Sequence, residues 1–164
     1  MSETAWLVTE LLVLLTAANG APVLATRVLG ERWSWPLDGG LTLADGRRLL
    51  GTSKTVRGLV ASVAVTAAVG VLLGMAWWLG ALFGAASMAG DLTSSFIKRR
   101  LGIASSGRAL GLDQVPEALL PLLVCYGALG LAPLHVLLTL LLFSVGSPLI
   151  SPLMFRIGIR HHPH

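Results

Sequence analysis

Charge is what this sequence has least of. Lys, Arg, Asp and Glu make up 12% of its 164 residues, about half the 25% usual in a soluble domain, so the chain lacks the polar surface to cover itself in water. Cysteine is nearly absent. The lone Cys125 sits inside an apolar run, which excludes a disulfide framework. No Ser-His-Asp or Cys-His set is visible either: of four histidines, His161, His162 and His164 crowd the tail and His135 stands alone. What is there is 54% hydrophobic, with a mean hydropathy of +0.78. The composition predicts an integral membrane protein.

Long uncharged runs set the expected spans. A bilayer core of about 30 Å needs roughly 20 apolar helical residues. Residues 5–26 form the first such run, interrupted by Glu10, Asn19 and Gly20. It lacks the positive n-region of a secretory signal and is predicted to be retained. Residues 59–90 carry no charge at all. That is too long for one span and predicts two, 59–76 and 79–97, turning near Met75–Gly80 with Trp77 and Trp78 at the water interface. The stretch 118–155 repeats the pattern, with Gly127, Gly130 and Pro133 marking the turn between spans at 116–130 and 134–155. The expected fold is all-α, one domain over 1–164 with five transmembrane helices and two loops, 27–58 and 98–115, that carry the site.

The twelve basic residues orient it. Arg27, Arg32, Arg47, Arg48, Lys54 and Arg57 fall in the first loop. Lys98, Arg99, Arg100 and Arg108 fall in the second, and Arg156 and Arg160 in the tail. The positive-inside bias places both loops and the C-terminus in the cytoplasm and the N-terminus outside, in the cell (inner) membrane.

Within the first loop, Asp38-Gly39 and Asp45-Gly46 are turn signals, Pro36 opposes a continuous helix, and Leu41–Ala44 suits a short hairpin. The segment GTSKTVRG, residues 51–58, joins glycines to Lys54 and Arg57. Backbone N–H groups in such a turn can cradle phosphate oxygens, although the spacing is not that of a Walker motif. The plainer reading is a basic loop that touches anionic head groups. In the second region, GDLTSSFIKRRLGIASSGRALGLDQ (residues 90–114), Asp91, Ser94 or Ser95, and Lys98 share a helix face. An aspartate this close to a span is costly unless paired or bound to a cation. Either it pairs with Lys98 or a neighbouring arginine, or it serves a site. Asp113 follows after a glycine-punctuated loop that can fold back towards it. Two carboxylates with lysine and arginine between them suit Mg²⁺ and a phosphate. Asn19, polar within the first span, needs a partner, and the same site would supply one.

The combination GDLTSSFIKRRLGI…GLDQ resembles the CDP-archaeol synthases, within the wider phosphatidate cytidylyltransferase family. ANGAPVL (residues 18–24), PLDGG, ADGRRLLG and KTVRG are similar to that family's first span and loop. The resemblance implies a Mg²⁺-dependent transfer of CMP from CTP to a lipid phosphate, releasing pyrophosphate. It implies Asp91, Lys98 and Asp113 as catalytic residues, with Asp91 and Asp113 holding metal. Substrate contacts would come from Asn19, Asp45, Gly46, Lys54, Thr55, Arg57, Ser95, Arg99 and Gln114. The family shows a further aspartate shortly after LDQ, whereas Val115, Pro116 and Glu117 stand here. Either Glu117 substitutes, or the second metal is held differently, or the chemistry is altered. The implied partners are CTP, a lipid phosphate and membrane lipids, with no nucleic acid. Small residues in spans two and three permit close helix contacts, within one chain or across a homodimer. A lipid or polyprenol kinase, and a non-catalytic lipid-binding or transport protein, are the alternative functions.

Overall fold

The computed structural model describes residues 2–105, 107, 109 and 111–156, with backbone alone for 149–156. Arg108, Arg160 and the tail histidines lie outside the described residues, as does the side chain of Arg156. Five helices follow in order: α1 (Glu3–Leu29), α2 (Val56–Leu72), α3 (Trp77–Arg100), α4 (Gln114–Val124) and α5 (Pro133–Arg156). Helix α3 packs between α2 and α4, while α1 lies along α2 and also touches α3 and α5. Leu11, Leu14 and Leu15 recur on one face of α1 and meet Leu79 and Phe83 of α3, Ala118 and Leu122 of α4, and Cys125, Leu131 and Phe143. This is the core.

The all-helical architecture agrees with expectation, and four of the five segments differ from it by a few residues at their ends. The fourth differs more. Helix α4 stops at Val124 rather than continuing to Gly130, and its 11 residues measure only about 16 Å. Cys125 caps it, and the chain turns through Gly130 (φ 59), with Leu131 N–H donating to the Tyr126 carbonyl at 3.0 Å. Glycine tolerates that left-handed backbone, which closes the turn ahead of α5. Among the described residues, α1 is long and apolar enough to cross a membrane, with mean hydropathy 1.7, whereas α2, α4 and the Pro133–Pro148 part of α5 are apolar but shorter.

Helix α1 contains Pro22, which cannot donate to the carbonyl four residues back. Ser62 Oγ of α2 donates to that carbonyl, Ala18 O, at 2.9 Å, and both groups are buried. The α2–α3 seam is equally close. A β-carbon on Gly80 would stand 2.7 Å from Thr66 O, and one on Gly84 3.0 Å from Thr66 Cβ. The small residues that also suited a homodimer are thus engaged inside one chain. The turn between these helices is a Schellman motif: Met75 N–H donates to Gly70 O at 2.8 Å and Gly74 N–H to Val71 O at 3.0 Å.

A close approach also joins α3 to α4. A β-carbon on Gly90 would lie 2.1 Å from Pro116 O and 2.7 Å from the Glu117 Cα. Only glycine fits there, and it sets the start of α4 beside Asp91.

Candidate active site

The first loop is built around Asp38, a residue the sequence offered only as a turn signal. Its side chain is fully buried. Oδ1 accepts from Gly40 N–H (3.0 Å) and Arg48 Nη2 (2.8 Å). Oδ2 accepts from Leu50 N–H (3.1 Å) and Gly51 N–H (3.2 Å). Burial alone would push this carboxyl up, but the donors from Gly40, Leu50, Gly51 and Arg48 outweigh it and hold it down at about 2. Because the folded value lies below the ordinary 3.8, the tether is complete above about pH 4 and is lost as pH falls towards about 2. Amide exchange at Leu50 and Gly51 is expected to remain slow at about pH 4 and to accelerate, relative to unstructured peptide, at about pH 2. Equal protection at both pH values would show that the carboxylate charge is not what holds the loop.

Between these anchors the expected hairpin forms. Leu43 N–H donates to Arg47 O and Leu49 N–H to Leu41 O, around Asp45 and Gly46 (φ 72). The Arg47 N–H and the Arg100 guanidinium hold the Asp45 carboxyl below its usual range. The hairpin clasps the end of α3. Arg100 Nη1 reaches Asp45 Oδ2 at 2.7 Å and Arg100 Nη2 reaches Arg48 O at 2.6 Å. In return, Arg47 Nη1 donates to Arg100 O at 2.7 Å, placing a cation on the negative end of the helix. A second short pairing, Pro36 with Thr55, brings Lys54 to the bundle, and Thr55 then caps α2 by accepting from Gly58 N–H at 3.2 Å.

Two lysine–aspartate pairs result. Lys54 Nζ lies 2.7 and 2.6 Å from the two carboxylate oxygens of Asp91. Lys98 Nζ lies 2.6 Å from Asp113 Oδ1 and also donates to Gly107 O at 3.3 Å. Asp91 therefore pairs across 37 positions with Lys54, not with Lys98 on its own helix. Asp113 Oδ2 accepts from Ala109 N–H at 3.0 Å, and Gln114 Oε1 accepts from Gly111 N–H at 2.8 Å, which ties residues 109 and 111 to the start of α4. Ser95 is buried in α3.

The first loop, the end of α3 and residues 102–105 also line a basic cavity of about 310 Å³, with Arg47, Arg48 and Arg99 and with Gly51, Thr52 and Ser105 among its walls. Gly51 (φ 101) sits hard against the second loop: a β-carbon there would stand 2.7 Å from Ser105 Oγ and 3.7 Å from Arg99 Nε. Arg99 is buried and donates through Nη2 to Ala104 O at 2.7 Å. The Nε atoms of both Arg48 and Arg99 are buried with no acceptor. Three arginines lining one cavity give it a positive charge suited to an oxyanion.

The expected residues do not all converge. Arg57 Nη1 donates to Gly30 O and Arg32 O, each at 2.6 Å, and Nη2 to Thr26 Oγ1 at 3.2 Å. Its guanidinium fastens the exit of α1 to the start of α2. Asn19 is partnered and lies in α1 just ahead of Pro22. Glu117 is buried in the first turn of α4 and is also partnered. Among the described residues no three His, Cys, Asp or Glu side chains gather into a metal cluster. Arg47 and Arg48 were counted from the sequence only as basic loop residues, Asp38 only as a turn signal and Gly51 only as part of a glycine-flanked turn. Each acts through backbone groups or through partners distant in the chain.

Residues 7–163 match the family model described as CarS-like, CDP-archaeol synthase. The chain belongs to the CDP-archaeol synthase family. Proteins of that name are 42% identical over 109 residues in Thermococcus onnurineus (60% of this chain, 61% of the relative) and 39% identical over 103 residues in Thermofilum pendens (60% and 50%). A third, in Saccharolobus islandicus, is 44% identical over 88 residues (49% and 51%). The chain thus spans about half to three fifths of the length of these curated relatives. A solved structure described as an intramembrane enzyme for archaeal membrane lipids biosynthesis superposes with a TM-score of 0.67 at 33% identity, covering 84% of this chain and 92% of that one. Family membership and fold therefore agree with the resemblance carried by the GDLTSSFIKRR and GLDQ segments.

Proposed function

We propose that the chain is a five-span membrane enzyme that transfers CMP from CTP to a lipid phosphate at its cytoplasmic end, forming a CDP-activated lipid. The observation that carries this reading is the pairing of Lys54 with Asp91 and of Lys98 with Asp113, together with a cavity lined by Arg47, Arg48 and Arg99. The name shared by the curated relatives supports CTP and an archaeol-type lipid phosphate as the substrates. The superposed intramembrane enzyme supports the membrane setting. In the membrane α4 is too short to cross on its own, and with the turn at 125–132 it forms the fourth crossing together with its neighbours.

In this mechanism Arg48 and Arg99, with Arg47 behind them, bind the triphosphate oxygens in the cavity, and backbone N–H groups of the Gly51–Thr52 turn assist. Hairpin residues Asp45 and Gly46 hold the nucleotide side of the cavity closed. A lipid phosphate oxygen forms a bond to the α-phosphorus of CTP while the bond from that phosphorus to the bridging oxygen breaks, and pyrophosphate leaves with the electron pair. Lys54 and Lys98 move from their carboxylates to the phosphoryl oxygens as charge develops there. Asp91 and Asp113 would hold Mg²⁺, which when bound neutralises phosphate charge; two carboxylates already matched to cations fit an ion that takes few protein ligands beside substrate phosphates. Little covalent chemistry is asked of the side chains. Positioning supplies the rate.

The test uses purified protein with lipid phosphate, Mg²⁺ and CTP labelled at either the α or the γ position. Label is expected in lipid from the α position alone. Lipid labelled from the γ position would establish a kinase instead. No labelled lipid with any lipid phosphate tried would leave a binding or transport role.

A further inference from the structure

All five tryptophans avoid the core. Trp6, Trp33, Trp35, Trp77 and Trp78 are each at least half exposed, and they form two sets. Trp6 and the Trp77–Trp78 pair belong to the end where α1 begins and α2 turns into α3. Trp33 and Trp35 follow the end of α1. From Trp6 to Leu29, α1 rises about 35 Å, a little more than the roughly 30 Å hydrocarbon core of a bilayer. Trp33 is also the non-glycine residue with positive φ (54) among the described residues. A bulky side chain in that conformation persists only when its surroundings impose it. Here they do. Arg57 grips the carbonyls of Gly30 and Arg32 just ahead of Trp33, while beyond it the Trp35 carbonyl accepts from Val56 N–H at 2.9 Å.

We infer that Trp33 and Trp35 dock the first loop into the head-group boundary of the bilayer, at the edge where the lipid phosphate approaches Lys54. Leu24 and Val28, near the end of α1, are exposed apolar residues as well. The neighbouring Arg32 is exposed and matches anionic head groups, with Glu31 as the one opposing charge in the bend. Indole rings favour this boundary because one face is apolar and the N–H needs a polar partner. The link to the site is direct. Leu37 N–H donates to Lys54 O at 2.8 Å, so the segment bearing the tryptophans pairs with the segment bearing the lysine.

The role of Lys54 in this inference rests on the proposed function, but the docking itself does not. The protein, with Trp6, Trp77 and Trp78 replaced by Phe, is placed in nanodiscs containing lipids brominated near the head group or deep in the chains. Emission from Trp33 and Trp35 is expected to be quenched several-fold more by the shallow bromines than by the deep ones, and little by aqueous iodide. Efficient iodide quenching with no effect of brominated lipid would overturn the inference, including the case in which the surface receives a soluble protein. Trp33→Ser with Trp35→Ser is expected to raise KM for lipid phosphate about tenfold while leaving KM for CTP unchanged. If quenching is seen but the wild type makes no CDP-lipid, the docking stands and the cytidylyl-transfer reading falls.

Discussion

Asp91→Asn is expected to lower turnover by on the order of a thousandfold while leaving the helical content and melting temperature close to those of the wild type. The carboxylate is partly exposed, and its partner Lys54 is also reachable by water, so loss of the pair does not strand a buried charge. What is lost is the negative charge that offsets Lys54 at rest and would hold a divalent cation against the phosphates. Asp113→Asn should act in the same way through Lys98. The measurement is initial rate with saturating CTP and lipid phosphate, together with thermal unfolding of the same preparations. Full activity in both variants would remove these aspartates from the reaction. A collapse in melting temperature would make them structural.

Gly90→Ala is the second large effect, and it acts through packing. The added methyl would stand 2.1 Å from Pro116 O and 2.5 Å from Pro116 C, and both are backbone atoms that cannot turn aside. Overpacking usually costs about 1–3 kcal/mol, and a backbone obstacle puts this site at about the upper end. Activity should fall further than stability, because separating α3 from α4 also parts Asp91 from the segment that carries Asp113. Gly20→Ala is the control, since a β-carbon there meets nothing within 4 Å. Comparable loss in both variants would mean that helix flexibility, not the α3–α4 contact, is what matters at position 90.

Much of this arrangement was legible from residue order, for reasons that differ by feature. Uncharged runs fix helices because an apolar stretch with no breaker has one economical structure, and α1, α2, α3 and α5 appear where those runs lie. Asp45-Gly46 forms its turn because glycine at φ 72 is a local requirement. Asp91, Lys98 and Asp113 stood out as charges next to apolar spans. Which charge meets which was not legible. Helical spacing put Lys98 on the face of Asp91, yet Lys98 reaches Asp113 and Asp91 takes Lys54, a choice made by how the loops close. Arg57 resembled a phosphate ligand in its glycine-flanked segment, but its partners are the carbonyls of Gly30 and Arg32, and carbonyls leave no mark in a sequence. Asp38 was hidden in the same way, with three backbone N–H groups among its four donors. The end of α4 was misplaced because Gly127, Gly130 and Pro133 show that a turn is near without saying which residue begins it.

The bond from Ser62 to the Ala18 carbonyl bears on how the protein is made. In hydrocarbon a carbonyl without a donor is penalised by several kcal/mol, and Pro22 leaves α1 with one at mid-helix until α2 arrives. The first helix is therefore incomplete as a solitary membrane segment, and its best partner is the helix that emerges next from the ribosome. The two should enter the bilayer as a hairpin, with Ser62 closing the gap as they come together. Ser62→Ala would then be felt during biogenesis, as slower accumulation of inserted protein, before it is felt in the folded protein.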